Sequence, residues 1–150
     1  MNKSDPMSIA IEEARAAGLR GEVPVGAVVV RDGSVIARAG NTCIANVDPS
    51  AHAEMLVIRA ACAVLGSQRL VDCDLYVTLE PCAMCAAAIS FARIRRLVFG
   101  AYDPKSGGVE HGARVFDHTT CHHAPEVIGG VRECEVAALL KAFFKDKRTI

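Results

Sequence analysis

The stretch Asp74-Leu-Tyr-Val-Thr-Leu-Glu-Pro-Cys82-Ala-Met-Cys85-Ala-Ala-Ala-Ile-Ser-Phe-Ala92, closed by Arg96-Leu-Val-Phe-Gly-Ala101, decides the fold. After Asp74, residues 75–79 are β-branched or large and apolar, and 74–79 reads as a strand. Pro81 fits the start of a helix, where the amide hydrogen that proline lacks would have no intrahelical partner. Residues 96–101 form a second strand. A strand, a crossover helix and a strand make a right-handed parallel unit of an α/β fold. The loop after Leu79 then lies at the carboxyl end of a strand, where open α/β sheets bind ligands.

Cys82 and Cys85 are separated by two residues, a spacing that lets both thiolates meet one soft divalent ion. A histidine from elsewhere can supply a third ligand, and the candidate is His52 in Ser50-Ala-His52-Ala-Glu54. Three protein ligands leave one corner of a tetrahedron for water. A carboxylate beside it can carry that water's protons without binding the ion, and Glu54 suits this role. Asp48-Pro49 reads as an N-cap followed by proline at the first helical position. A helix is predicted from there to about residue 65, with His52 and Glu54 in its opening turns. Residues two apart on a helix point about 200° apart, so both can address one ion only if it lies off the helix end. Cys82 and Cys85 fall in the first turn of the next helix, where the positive end of the dipole favours thiolate. Two helix amino termini are thus expected to converge on one zinc ion per chain.

Other readings compete for the same residues. Cys-x-x-Cys alone fits a chance pair, a redox couple or half of a structural zinc site. His118-x-x-x-His122 could close a Cys2His2 site, but it lies far downstream of Cys85 for a zinc finger and leaves His-Ala-Glu unexplained. His-Ala-Glu joined to Pro-Cys-x-x-Cys matches the pattern of zinc-dependent nucleobase deaminases.

The 150 residues predict one domain over 1–150, with a core of Val, Ile, Leu and Ala, since aromatic residues are only 5% and Trp is absent. Lys plus Arg and Asp plus Glu both total 17, so charge gives no global sign of a nucleic-acid partner; RNA would meet a local patch. Seven cysteines, no signal-peptide pattern at Met1-Asn-Lys-Ser-Asp5 and no membrane-length apolar run lead to the expectation of a cytoplasmic protein with reduced thiols and no membrane contact.

Outward from the decisive stretch, residues 7–20 form an amphipathic helix, and residues 25–31 and 34–39 flank Asp32-Gly33 as a hairpin. The helix beginning near Pro49 should bury Met55, Leu56, Ile58, Ala61 and Leu65. Residues 84–92 are apolar nearly all round, which predicts burial on every side, inside the domain or against a second copy in a homodimer. Arg93, Arg95 and Arg96 are expected to complement the carboxyl end of that helix. Tyr102-Asp-Pro-Lys-Ser-Gly-Gly108 is a turn-rich loop, residues 127–131 a short strand or connection, and 133–147 a final helix with Val136, Leu139, Leu140 and Phe143 inward.

With those residues placed, the chain resembles the bacterial tRNA-specific adenosine deaminases of the cytidine deaminase superfamily. The likeness runs from Glu22-Val-Pro-Val-Gly-Ala-Val28 through Gly40-Asn41 and both metal motifs to Asp103-Pro-Lys-Ser-Gly107 and the Phe143-Phe144 tail. It implies a three-layer α/β/α fold with a five-stranded mixed sheet flanked by helices. It further implies zinc on His52, Cys82 and Cys85, Glu54 as proton shuttle, and conversion of adenosine to inosine at the wobble position of a tRNA anticodon stem-loop. By the same likeness Asn41 hydrogen-bonds the target base, Asp103 and Lys105 touch ribose and backbone, and Phe144, Lys147 and Arg148 lie near the anticodon nucleotides. A homodimer is expected to be what concentrates Arg93, Arg95, Lys105, Lys145, Lys147 and Arg148 near one groove. Two alternatives stand beside this reading: a deaminase of a free base or nucleoside of the guanine or cytosine type, and a non-catalytic zinc-stabilised RNA-binding domain.

Overall fold

Asp32 and Gly33 take φ values of 50° and 76°, the paired left-handed conformation that a two-residue hairpin turn needs. They join β1 (Gly26–Arg31) to β2 (Ser34–Gly40) in an antiparallel ladder with a bulge where Val29 faces Ala37 and Val30 faces Val35. The computed structural model describes residues 5–148, with side chains from 5 to 147. In chain order α1 (Pro6–Leu19) precedes the hairpin, and α2 (Ala53–Leu65), β3 (Cys73–Leu79), α3 (Ala83–Ala92) and β4 (Arg96–Ala101) follow it. A 3-10 turn (Val115–Asp117), β5 (Glu126–Ile128) and α4 (Glu133–Arg148) complete the described chain.

The five strands lie in the order β2-β1-β3-β4-β5. β1 is antiparallel to β2 and β3, whereas β3, β4 and β5 run parallel, so the sheet is mixed as expected. Alternation along β1 sorts the core in two: Ala27 and Val29 face α2 and α3 together with Leu75, Val77, Leu97 and Phe99, and Val28 and Val30 face α1 and α4. Helices cover both faces, which makes three layers. Each fully buried Val, Leu or Ile there contributes about 1.5–3 kcal/mol against exposure.

Three expectations are corrected. α2 starts at Ala53, not at Pro49, because Asp48 caps a turn instead: its Oδ1 accepts from the amide and hydroxyl of Ser50 at 2.8 and 2.7 Å. The true start is set by Asn41, whose Oδ1 accepts the Ala53 amide at 2.8 Å. The buried stripe of α2 is accordingly Ala53, Glu54, Val57, Ile58 and Ala61, with Met55, Leu56 and Leu65 only half-buried. α3 starts at Ala83, and within the single chain Phe91 stays 69% exposed and Met84 37%, so the domain interior does not cover this helix all round by itself. Arg95 and Arg96 do not serve the end of α3. Arg95 forks onto Asp74 with two bonds of 3.0 Å, and Arg96 meets Glu126 at 3.0 Å, tying β4 to its neighbours; Arg93 alone reaches back, to the Ser90 carbonyl.

Candidate active site

His52 is the residue that caps α2, and Cys82 caps α3. Both helix amino termini end at the carboxyl edge of the sheet, so the two chain entries place His52, Cys82 and Cys85 face to face. His52 Nδ1 lies 3.6 Å from Cys82 Sγ and 3.5 Å from Cys85 Sγ, and the three donor atoms all fall within 4.8 Å of one another. Tetrahedral zinc with ordinary zinc–nitrogen and zinc–sulfur distances sets nitrogen and sulfur about 3.5 Å apart, so the donor set fits one zinc ion without rearrangement. Among the described residues no other group of His, Cys, Asp and Glu has this geometry. His118 gives its Nε2 to the Ala113 carbonyl at 2.6 Å and His122 lies against Phe91, which removes the Cys2His2 alternative.

The sulfurs share a proton unequally. A hydrogen bond from Cys85 holds Cys82 down at about 4, with His52 adding to the effect, while the same bond and burial push Cys85 up. The Cys82 partner raises His52 above its ordinary value. Burial pushes the Glu54 carboxyl up to about 7, and the negative Cys82 adds to it.

One cavity of about 230 Å³ gathers Asn41, His52, Glu54, Cys82 and Asp103, together with Val23, Val25, Cys43, Leu79, Glu80 and Ser106, which the sequence reading did not single out. It shares Val23, Leu79, Asp103 and Ser106 with a groove of about 520 Å³ that continues past Tyr102, Lys105, Leu140 and Phe144. Lys147 packs over the Phe143 ring, 5.5 Å from its centroid. The Arg148 side chain lies outside the described residues. Within one chain Arg95 lies away from this groove, because its partner Asp74 is at the opposite end of β3 from Leu79.

Two buried carboxylates missed from the sequence hold the rim. Glu22 accepts the amides of Ile44 and Ala45 at 3.0 and 2.9 Å, and these two bonds keep its pKa below the usual range. Glu80, 2% exposed, accepts the amides of Asp103, Val109, Glu110 and His111. The only sequence sign of Glu80 is an acid squeezed between the strand and Pro81.

Residues 1–101 match the family described as the cytidine and deoxycytidylate deaminase zinc-binding region. A tRNA-specific adenosine deaminase of Agrobacterium fabrum is 61% identical over 142 residues, covering 95% of this chain and 93% of that one. A solved structure from work on A-to-I editing by tRNA:A34 deaminases at the wobble position has a TM-score of 0.89 at 60% identity, covering 91% and 99% of the two chains. A guanine deaminase of Bacillus subtilis is more distant, with a TM-score of 0.66 and 30% identity over 100% of this chain and 96% of its own. At such identity over nearly the full length of both proteins the metal motif no longer argues alone, and this chain belongs to the tRNA-specific adenosine deaminase family within the cytidine and deoxycytidylate deaminases.

Proposed function

We propose that this chain, acting as one domain over residues 1–150, hydrolyses adenosine to inosine at the wobble position of a tRNA anticodon stem-loop. The observation that carries the reading is the cavity over Glu54 opening into the long groove bounded by Lys105 and Phe144. A free base needs a closed pocket; a nucleotide within RNA needs an exit for the strand on either side. An anticodon loop presents unstacked bases, so turning the target base into the cavity costs least there. The aromatic faces of Tyr102 and Phe144 offer stacking for its neighbours.

Zinc on His52, Cys82 and Cys85 would supply a Lewis acid that makes water acidic near neutral pH. Asn41 has its Oδ1 engaged by the Ala53 amide, which leaves the side-chain NH2 as the donor directed at an acceptor of the base. Glu54 takes the two protons of the attacking water in turn, passing the first to the ring nitrogen and the second to the departing amino group. The new C6–O bond forms, the C6–N bond breaks, and ammonia leaves. Asp103 and Lys105 hold ribose and phosphate, with Phe144, Lys147 and Arg148 further along the RNA. Cytoplasmic tRNA is the substrate pool, in keeping with seven cysteines in no disulfide; among the described residues no helix is long and apolar enough to cross a membrane.

We also infer a homodimer built on α3, whose outward face of Met84, Ala87 and Phe91 carries no charge and borders a groove lined by Val115 together with His118, Thr120 and His122. The deciding experiment incubates the purified protein with total tRNA and scans for inosine. One anticodon position should convert, and free guanine, cytosine and adenosine should not. Turnover of a free base with none on tRNA would give the reaction to the small-substrate class.

A further inference from the structure

Asp103 and Ser106 reach the cavity from a loop that has no regular structure of its own, so something must hold that loop still. We propose that Glu80 is a positioning residue for substrate: its buried carboxylate fixes the loop over residues 102–111 against the start of α3, and so sets Asp103 and Ser106 relative to the zinc ligands. This rests on the reading of the groove as the RNA site.

Five donors converge on two oxygens. Oε1 accepts the Asp103 amide at 3.0 Å and His111 Nδ1 at 2.8 Å, and Oε2 accepts the amides of Val109, Glu110 and His111 at 3.2, 3.0 and 3.1 Å. A protonated acid would turn an O–H toward these donors, so the arrangement calls for the ionised carboxylate, whose roughly four lone-pair positions are shared among them. Asp103 passes the restraint on: its carbonyl accepts the Gly107 amide at 2.9 Å, and its Oδ1 accepts the amides of Lys105 and Ser106 at 3.2 and 3.1 Å. The loop also leans on the metal helix directly. Gly108 donates to the Pro81 carbonyl at 2.8 Å, and a Cβ on Gly108 would stand 2.5 Å from the Ala83 nitrogen. A Cβ on Gly107 would collide with Glu80 Oε2 itself. Glu80 precedes Cys82 by two residues, so one short segment carries both a metal ligand and the anchor of the substrate loop.

Glu80→Gln tests this sharply, because glutamine replaces one acceptor by an NH2 group. Placing that NH2 at the Oε2 position would strand three backbone amides, whereas placing it at Oε1 strands only Asp103, with His111 able to turn acceptor by changing tautomer. The variant should therefore free the Asp103 amide while residues 109–111 stay bonded. In the zinc-loaded full chain, hydrogen exchange at Asp103 should accelerate and KM for tRNA should rise about 10-fold. Zinc content should not change, and kcat should stay within about 3-fold. His111→Ala should raise KM by about 3-fold, and His111→Asn, which keeps a donor near Nδ1, should restore it.

Lower zinc content and kcat at unchanged KM would overturn the proposal, since the carboxylate would then serve the metal helix and not the loop. Wild-type exchange at Asp103 with wild-type KM would overturn it too. If Glu80→Gln fails to fold, the His111 pair decides: equal KM in both variants refutes the anchor. If the wild-type protein leaves tRNA untouched, the functional reading fails, and exchange at Asp103 still decides the role of Glu80.

Discussion

Glu54 and Glu80 are both buried carboxyls within one cavity wall, and their environments push them in opposite directions. Burial alone raises both. Glu80 is nevertheless brought below the usual range by the Asp103 amide, His111 and the amides of Glu110 and Val109, whereas Glu54 has too little compensation and rises to about 7. The first is a fixed anion and the second a group that can gain and lose a proton at neutral pH. The raised Glu54 value has a consequence for stability. Between the ordinary value of 4.5 and about 7 the folded chain holds a proton that the unfolded chain has released, so stability falls as pH rises through that window. The loss amounts to about 3 kcal/mol in the zinc-free protein. Denaturant unfolding of zinc-free wild type at pH 5 and pH 8 should show this drop in excess of the drop for Glu54→Gln; equal drops in the two proteins would mean that Glu54 does not titrate there. In the zinc-loaded enzyme the same substitution should keep the metal and lower turnover by about 100- to 10,000-fold.

α1 sits so close to β1 that the strand must begin with glycine. A Cβ on Gly26 would collide with the Ala10 carbonyl oxygen and stand 2.6 Å from the Ala14 nitrogen, both helix backbone atoms that cannot rotate away. Gly26→Ala should therefore cost at least about 3 kcal/mol by chemical denaturation, since α1 must lift off the sheet; a loss under about 1 kcal/mol would mean that the helix slides freely. The hairpin around Asp32-Gly33 and the β3-α3-β4 unit were legible in the sequence because each is specified by neighbours along the chain. The start of α2 was not. Asp48-Pro49 has the local signature of a helix start, but the contact that decides the matter is Asn41 Oδ1 on the Ala53 amide, made across twelve residues. Glu80 was invisible as an anchor for the same reason, its partners lying 23 to 31 residues away. His52, Cys82 and Cys85 could be picked out because metal ligands must be particular residue types at narrow spacings, whereas a loop anchor can be any acid that the fold happens to enclose.

Helices cover both faces of the sheet, yet α3 still turns an uncharged side outward, with Phe91 at 69% and Met84 at 37% exposure. The proposed homodimer would cover that side, and a second copy related by a two-fold axis would bring two Phe91 side chains into one interface. Phe91→Glu puts a charge there while disturbing little within the chain, because the ring is mostly outside the core; the cost to folding should stay within about 0.5 kcal/mol. Across the interface the same change acts twice, removing the apolar burial of both rings and desolvating two like charges, so the dimer should weaken at least about 100-fold. Sedimentation at micromolar concentration should find wild type as a dimer and Phe91→Glu as a monomer with unchanged circular dichroism and zinc content. A monomeric wild type, or a variant that still dimerises with wild-type affinity, would move the interface away from α3.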